Sequence, residues 1–428
     1  MVIPSPPKVV PPATRGERLA WCGFDFSNSA FTTIIITVAY PLYFAKVVVG
    51  DADRADLWWA AGLALSQLIV LLAAPIVGAV ADARAAKKRF LFVTWLGASL
   101  GAAGLSIPGP GQILAAWGVL VVANVAFAAG ENLVAGFLPE LAPPEEQGRL
   151  SGQGWAIGYF GGLFSLVFAK VLSDRGQLAE IPLMTAAFML VAGLPTFLFL
   201  RERATPRPMT GPLLRTAFAD ATLAWRDRKR FPDLRSLLLS LFFQQAGVVI
   251  VISFAGLYGA EEIGLSASDL FVLFIVLQLA AALGAVLFGR LQDRRGTKRA
   301  LAAAVIVWIA SVLLAVGAPN REVFYLSGAL SGAAMGGSQC VGRAAVGLFA
   351  PPGREGAWFG LWGLSTKAAG VVGLTAFFVI RSGTDRRMAM LSTVAFFVTG
   401  LLLLRAVEEA RGRTAARENP AEDLPVAP

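Results

Sequence analysis

The chain has 428 residues, of which 56% are hydrophobic and only 15% are Asp, Glu, Lys or Arg, too few charges to solvate a globule of this size. Its net charge of +9 is not the footprint of a nucleic-acid binder, because the basic residues stand in short runs between apolar stretches. With no histidine and two isolated cysteines, Cys22 and Cys340, the composition excludes imidazole metal sites, zinc clusters and a disulfide framework; neither a cofactor nor a metal is expected.

The first 14 residues hold five prolines. They lack the charged start, apolar centre and cleavage site of a signal peptide, so the first span is expected to serve as its own insertion signal. Apolar stretches of roughly 18 to 25 residues, the length that crosses a hydrocarbon core of roughly 30 Å, then recur twelve times. They fall near 24–45, 57–80, 90–107, 112–137, 152–172, 181–200, 236–258, 268–289, 300–318, 323–349, 357–380 and 388–406. Most Lys and Arg lie in loops on the side of the N-terminus, which the positive-inside bias places in the cytoplasm. An even number of spans returns the C-terminus to that side.

This pattern divides the chain into a cytoplasmic tail over 1–20, a six-helix bundle over 21–200, a cytoplasmic linker over 201–235, a second six-helix bundle over 236–407 and a disordered tail over 408–428. In the linker Leu214, Ala217, Phe218, Ala221 and Trp225 recur at helical spacing. That fits a helix in the headgroup layer, and equally a plain tether.

Two loop types repeat at about half the chain length. Gly289-Arg-Leu-Gln-Asp293-Arg294-Arg295-Gly296-Thr297-Lys298-Arg299 follows the eighth span. A degraded copy, Gly78-Ala-Val-Ala-Asp82-Ala83-Arg84-Ala85-Ala86-Lys87-Lys88-Arg89, follows the second. Ala142-Pro143-Pro144-Glu145-Glu146-Gln147-Gly148-Arg149 follows the fourth span, and Ala350-Pro351-Pro352-Gly353-Arg354-Glu355-Gly356 the tenth. Loops repeated in the same order describe a chain built of two similar halves, and a two-half membrane bundle opens alternately to either side. Transport is the expected role.

The basic loops resemble the conserved loop of the major facilitator superfamily, Gly-x-x-x-Asp-(Arg/Lys)-x-Gly-x-(Arg/Lys)-(Arg/Lys). The second copy matches every fixed position, and the first departs at Ala83 and Ala85. The stretch Trp21-Cys-Gly-Phe-Asp25-Phe26-Ser27-Asn28-Ser29-Ala30-Phe31 looks like the first-span signature of the vacuole-effluxer-like branch. Leu138-Pro139-Glu140-Leu141, Gly336-Gly337-Ser338-Gln339 with Arg343, and Pro351-Pro352-Gly353-Arg354 running into Trp358-Phe359-Gly360 are similar to that branch too. The resemblance implies an all-α membrane protein, with twelve transmembrane helices in two pseudo-symmetric six-helix bundles, the major facilitator fold. It implies a central cavity lined by the first, fourth, seventh and tenth spans. It also implies a conformational latch at the basic loops, built on Asp82, Arg84, Asp293 and Arg294. Fungal members of the branch are implicated in releasing amino acids from the vacuole, so an amino-acid-like cargo is the implied one.

Ionisable groups at membrane depth cost roughly 2.5 to 3.5 kcal/mol each even on lenient scales, and four stand there: Asp25, Glu131, Arg343 and Lys367. The candidate substrate-binding set is Asn28, Asn124, Glu131, Asn132, Gln244, Gln339 and Arg343. Asp25, Asn28 and Thr32 share one helical face, and Gln339 and Arg343 lie one turn apart. Gln244 and Gln245 point about 100° apart, so one of them faces the cavity. Glu131 lies eight residues before Pro139, and Arg343 eight before Pro351. Both should therefore sit about 12 Å inside their spans and pair across the cavity. Arg343 would take a substrate carboxylate and Glu131 an amine or a proton; the plainer reading is that each only holds helices together. Without histidine, proton coupling falls to Glu131 and then Asp25, and Asp25 reads equally as a helix cap. Lys367 reads as a structural counter-ion.

The expected activity is secondary transport of a small polar or zwitterionic solute, exported by alternating access from a bacterial inner membrane. The partners are the lipid bilayer and a small molecule, with no nucleic acid, and the protein is expected as a monomer. A sugar or an amphipathic drug is the alternative cargo. A membrane enzyme lacks a Ser-His pair, a metal cluster and a phosphate loop. A receptor would carry a larger soluble domain.

Overall fold

The computed structural model describes residues 12–204, 206 and 231–419; the helix expected over 214–225 lies outside them. Twelve long helices run through the described residues. The N-terminal half holds α1 (Arg15–Ala30), α2 (Ala52–Ala83), α3 (Lys87–Gly104), α4 (Ile113–Ala135), α5 (Gln147–Asp174) and α6 (Ile181–Phe199). The C-terminal half holds α7 (Pro232–Glu262), α8 (Ala267–Arg295), α9 (Thr297–Val316), α10 (Arg321–Phe349), α11 (Glu355–Gly383) and α12 (Arg386–Arg405), followed by a short α13 (Glu409–Glu418).

Ten of the twelve are long and apolar enough to cross a membrane, and α3 and α10 depart for different reasons. Helix α3 opens on Lys87, Lys88 and Arg89, which dilute its 18 residues. Helix α10 is rich in glycine and serine and buries Ser327, Ser331, Ser338 and Arg343 against its neighbours. A span that touches helices needs less apolar surface than one that touches lipid. Large apolar side chains on the outside, Leu57, Ile107 and Val191 among them, are 72%, 79% and 75% exposed, the surface expected where the solvent is hydrocarbon.

Helix α1 begins earlier than the apolar pattern suggests. Thr14 and Glu17 form a reciprocal capping box, which satisfies N–H groups orphaned at the helix start. The helix continues past Ala30 through wide π-type turns over Phe31–Val38 and Phe44–Val49. Here β-branched residues crowd the turns, and Pro41 supplies no N–H to the ladder.

Each bundle is closed on the face of the termini by one device used twice. Glu17 in the first turn of α1 accepts Arg203 at 2.9 and 3.0 Å, and Asp233 in the first turn of α7 accepts Arg411 at 2.7 and 2.8 Å. Glu202 accepts the N–H of Lys88 at 2.8 Å, and Glu409 that of Thr297 at 2.7 Å, so a carboxylate following the last helix caps the third helix of each half. The disordered tail expected over 408–428 is thereby corrected over residues 408–419, while 420–428 lie outside the described residues. Residues 409–418 form α13, which buries Ala416 and seats Gly412 against Phe349; its acidic residues find helix ends and arginines, a tertiary reward that composition does not reveal.

Apolar packing joins the halves on one side and parts them on the other. Near the terminal face one core runs through Ala135 and Ala156 of the first half and Leu241, Ala285, Val341 and Phe359 of the second. Toward the opposite face each half has its own core, around Phe31, Phe127 and Met189 in the first and Trp308, Phe324 and Phe397 in the second. The gap between those two cores is the cavity.

Candidate functional site

The cavity holds about 950 Å³ and is lined from both halves. Toward the face opposite the termini its walls are aromatic and aliphatic: Trp59, Ile252, Tyr258, Leu270, Phe274 and Phe324. Its polar groups gather deeper, at Asp25, Asn28, Glu131, Asn132, Gln245, Gln339, Arg343 and Lys367.

Arg343 closes the floor. Its Nη1 donates to Asp25 Oδ2 at 2.8 Å, its Nε to Ser151 Oγ at 3.0 Å and its Nη2 to the Ser151 carbonyl at 2.9 Å. The guanidinium carbon stands 4.6 Å from the centre of the Trp21 ring and 5.3 Å from that of Trp155, so two aromatic rings lie within cation–π range of it. Arg343 comes from α10 and all of these partners from α1 and α5, so the cluster bonds one half to the other. Ser151 Oγ in turn donates to the Cys340 carbonyl at 2.8 Å.

The expected Arg343 partner was Glu131, and this is corrected to Asp25. Because α1 starts at Arg15, Asp25 stands about three turns inside its span, level with Arg343 and too deep to cap. Glu131 faces the cavity and makes no hydrogen bond or ion pair within 4.0 Å among the described residues.

Other assigned residues separate into wall and core. Asn28, Asn132 and Gln339 line the cavity, and Gln339 donates to Gln245 at 3.3 Å. Asn124 does not reach it: buried between α4 and α2, it donates to Ser66 Oγ at 2.6 Å. Gln244 is likewise corrected, since it turns toward α12 and donates to Ser240 Oγ at 2.8 Å, leaving Gln245 as the cavity-facing neighbour. Both corrections share a cause: each buried amide donates its N–H to a serine of its own half and turns away from the main cavity.

Below the floor, the repeated loops latch the halves crosswise. Asp82 ends α2 and accepts the N–H groups of Gly356 and Ala357, both at 3.0 Å, at the start of α11. Asp293 ends α8 and accepts those of Gly148 and Arg149, at 2.9 and 2.8 Å, at the start of α5. The two repeated loop types are therefore each other's partners, each aspartate facing the positive end of a helix from the other half. Close backbone approach makes this possible: a Cβ on Gly289 would collide with the Gly148 carbonyl, and one on Gly78 with the Gly356 carbonyl.

The arginines assigned to the latch do not take part. Arg84 and Arg294 are exposed, and neither makes a hydrogen bond or ion pair among the described residues. Lys87 does the work expected of Arg84. Fully buried, it pairs with Glu140, with Glu355 at 3.4 Å and with Asp82 at 3.7 Å, so it too spans the halves. Its counterpart in the second copy, Lys298, instead donates to the carbonyls of Arg405 and Val407 at 2.7 and 3.0 Å. The signal for Lys87 was present in the degraded loop, for Glu140 in Leu138-Pro139-Glu140-Leu141 and for Trp21 in the first-span signature; Ser151 and Trp155 carried none.

A contact that joins two halves on one face, below a cavity open between them, is built to close one side of a two-sided bundle. Comparison with known proteins agrees. Residues 60–417 match the family described as "Vacuole effluxer Atg22 like". An uncharacterized MFS-type transporter, YxiO, of Bacillus subtilis (strain 168) is 22% identical over 429 residues, covering 96% of this chain and 99% of that one. Autophagy-related protein 22 of Kluyveromyces lactis is 23% identical, over 63% of this chain and 60% of its own length. Multidrug resistance protein MdtG of Dickeya zeae is 26% identical, over 71% of each. Among solved structures, the human organic anion transporter MFSD10 superposes with a TM-score of 0.76 at 17% identity, covering 92% of this chain and all of that one. The transporter FucP in its outward conformation gives 0.69 at 16% identity, over 91% and 99%. Two crosswise-latched six-helix bundles around a shared cavity thus carry the major facilitator fold, and the chain belongs to the vacuole effluxer Atg22-like family.

Proposed function

We propose that this chain is a secondary active transporter that moves a small polar or zwitterionic solute, amino-acid-like, out of a bacterial cell by alternating access. It works as a monomer in the inner membrane, with both termini in the cytoplasm. The supporting observation for that orientation is the excess of Lys and Arg on the terminal face. On this reading the conformation described is open to the outside and closed to the cytoplasm.

One observation carries the proposal: the Arg343–Asp25 pair at the floor of a cavity that both halves share. Opening to the cytoplasm requires Arg343 to leave Asp25 and Ser151. A proton on Asp25 removes the charge that holds the guanidinium, which couples the floor to proton movement; Glu131, facing the same cavity, is the second proton acceptor. Counterflow in proteoliposomes tests this. Labelled amino acid should exchange with the wild-type protein, respond to an imposed pH gradient, and fail to exchange with Arg343→Ala. Exchange that ignores the gradient would remove proton coupling, and exchange of sugars alone would remove the cargo class.

The apolar walls favour a second reading, efflux of an amphipathic drug, as the name of the Dickeya zeae relative suggests for that protein. Competition between amino acids and a hydrophobic cation for the same site would decide between them.

A further inference from the structure

Two of the four ionisable groups at membrane depth satisfy each other. The other two do not. Glu131 on α4 and Lys367 on α11 face one cavity from opposite halves, and among the described residues neither makes a hydrogen bond or an ion pair within 4.0 Å. Their helices meet where the Asn132 side chain lies against Gly363. Lys367 stands one turn further along α11, about 6 Å toward the cavity mouth. Glu131 and Lys367 thus line one cavity from α4 and α11 and stop short of contact distance.

An unpartnered charge at this depth is costly, and it persists where water or a ligand reaches it. A counter-ion serving only Glu131 would close to contact distance, as Arg343 does on Asp25. Resting on the transporter reading above, we infer that Lys367 is the residue through which the cavity recognises an anionic group of its cargo, a carboxylate, with Glu131 holding a cationic group of the same molecule. Arg343, whose three nitrogens are committed to Asp25 and Ser151, does not take the carboxylate in this conformation. Lysine suits the task, since its ammonium offers three donors on a flexible stem and adapts to an acid presented from the cavity.

The test uses purified full-length protein and a thermal-shift screen of the twenty amino acids. Each binder is then compared with its amide, which lacks the carboxylate charge. Wild-type protein should bind the amino acid more tightly than the amide. Lys367→Gln should raise the Kd for the amino acid by about 10- to 100-fold and leave that for the amide within about twofold, so the preference disappears; Lys367→Arg should keep it. An unchanged preference in Lys367→Gln overturns the inference. So does a lower unliganded melting temperature in Lys367→Gln that is restored in Glu131→Gln/Lys367→Gln with the amide discrimination intact, the behaviour of a structural counter-ion. If Lys367→Gln fails to fold, Lys367→Met supplies the same comparison. Binding of no amino acid by wild-type protein also overturns it, and leaves the alternating-access reading to be judged by the motion of the two halves.

Discussion

Asp82 and Asp293 occupy equivalent positions in the two halves and make the same contact with opposite partners, each accepting two backbone N–H groups at the first turn of a helix in the other half. An asparagine at either place keeps one acceptor oxygen and loses the charge. Charge-assisted hydrogen bonds contribute about 1.5 to 3 kcal/mol, enough to move a two-state equilibrium by one to two decades. Asp82→Asn and Asp293→Asn should each raise the population closed on the mouth side. Cross-linking across the terminal face would check this, with yields expected to fall in both variants while expression holds.

The floor pair should behave as a buried charge pair. Asp25→Asn leaves a guanidinium at 3% exposure without its counter-charge, a loss of about 3 to 5 kcal/mol where no other partner is found. The double substitution Asp25→Asn/Arg343→Gln should recover much of that stability while transport stays lost. Thermal unfolding of the four proteins in a double-mutant cycle measures it.

Ala85 holds a left-handed backbone, at φ 48°, where the second copy of the loop has Gly296 at φ 87°. A Cβ in that conformation costs about 1 to 2 kcal/mol, partly offset by the entropy glycine loses on folding. Ala85→Gly is therefore expected to raise the unfolding free energy by up to about 1 kcal/mol, and Gly296→Ala to lower it. Paired melting curves check both signs.

Removing residues 408–428 should destabilise the C-terminal half, because Glu409 caps α9 and Arg411 neutralises the fully buried carboxylate of Asp233. Glu409→Ala alone should cost about 0.5 to 2 kcal/mol, the usual range for a lost cap. Limited proteolysis, with cleavage appearing first in the C-terminal half, reports the effect.

Much of this architecture was legible in the sequence because lipid imposes a coarse code: long apolar runs, basic loops and a repeat at half the length. The latch aspartates were legible because the two copies of their loop align. The Arg343 partner was not, since pairing depends on depth to within a turn, and depth on where α1 starts; Thr14 and Glu17 carried that information. Asn124 and Gln244 read as cavity groups because amides are rare in membrane spans, and only three-dimensional contact reveals that they donate to Ser66 and Ser240 instead. Lys87 and Arg84 stand three residues apart in one basic run, and which of them is buried follows from the face of the turn that meets Glu140, a contact the run itself does not encode.

The central claim is that the halves rock about the cavity, one face opening as the other closes. Distances between paired spin labels test it most directly: Arg84→Cys with Arg294→Cys on the terminal face, and Ile107→Cys with Glu322→Cys on the face of the cavity mouth. In an Asp82→Asn/Asp293→Asn background the first distance should lengthen and the second shorten together. Two distances that stay fixed, or that lengthen in concert, would contradict the account.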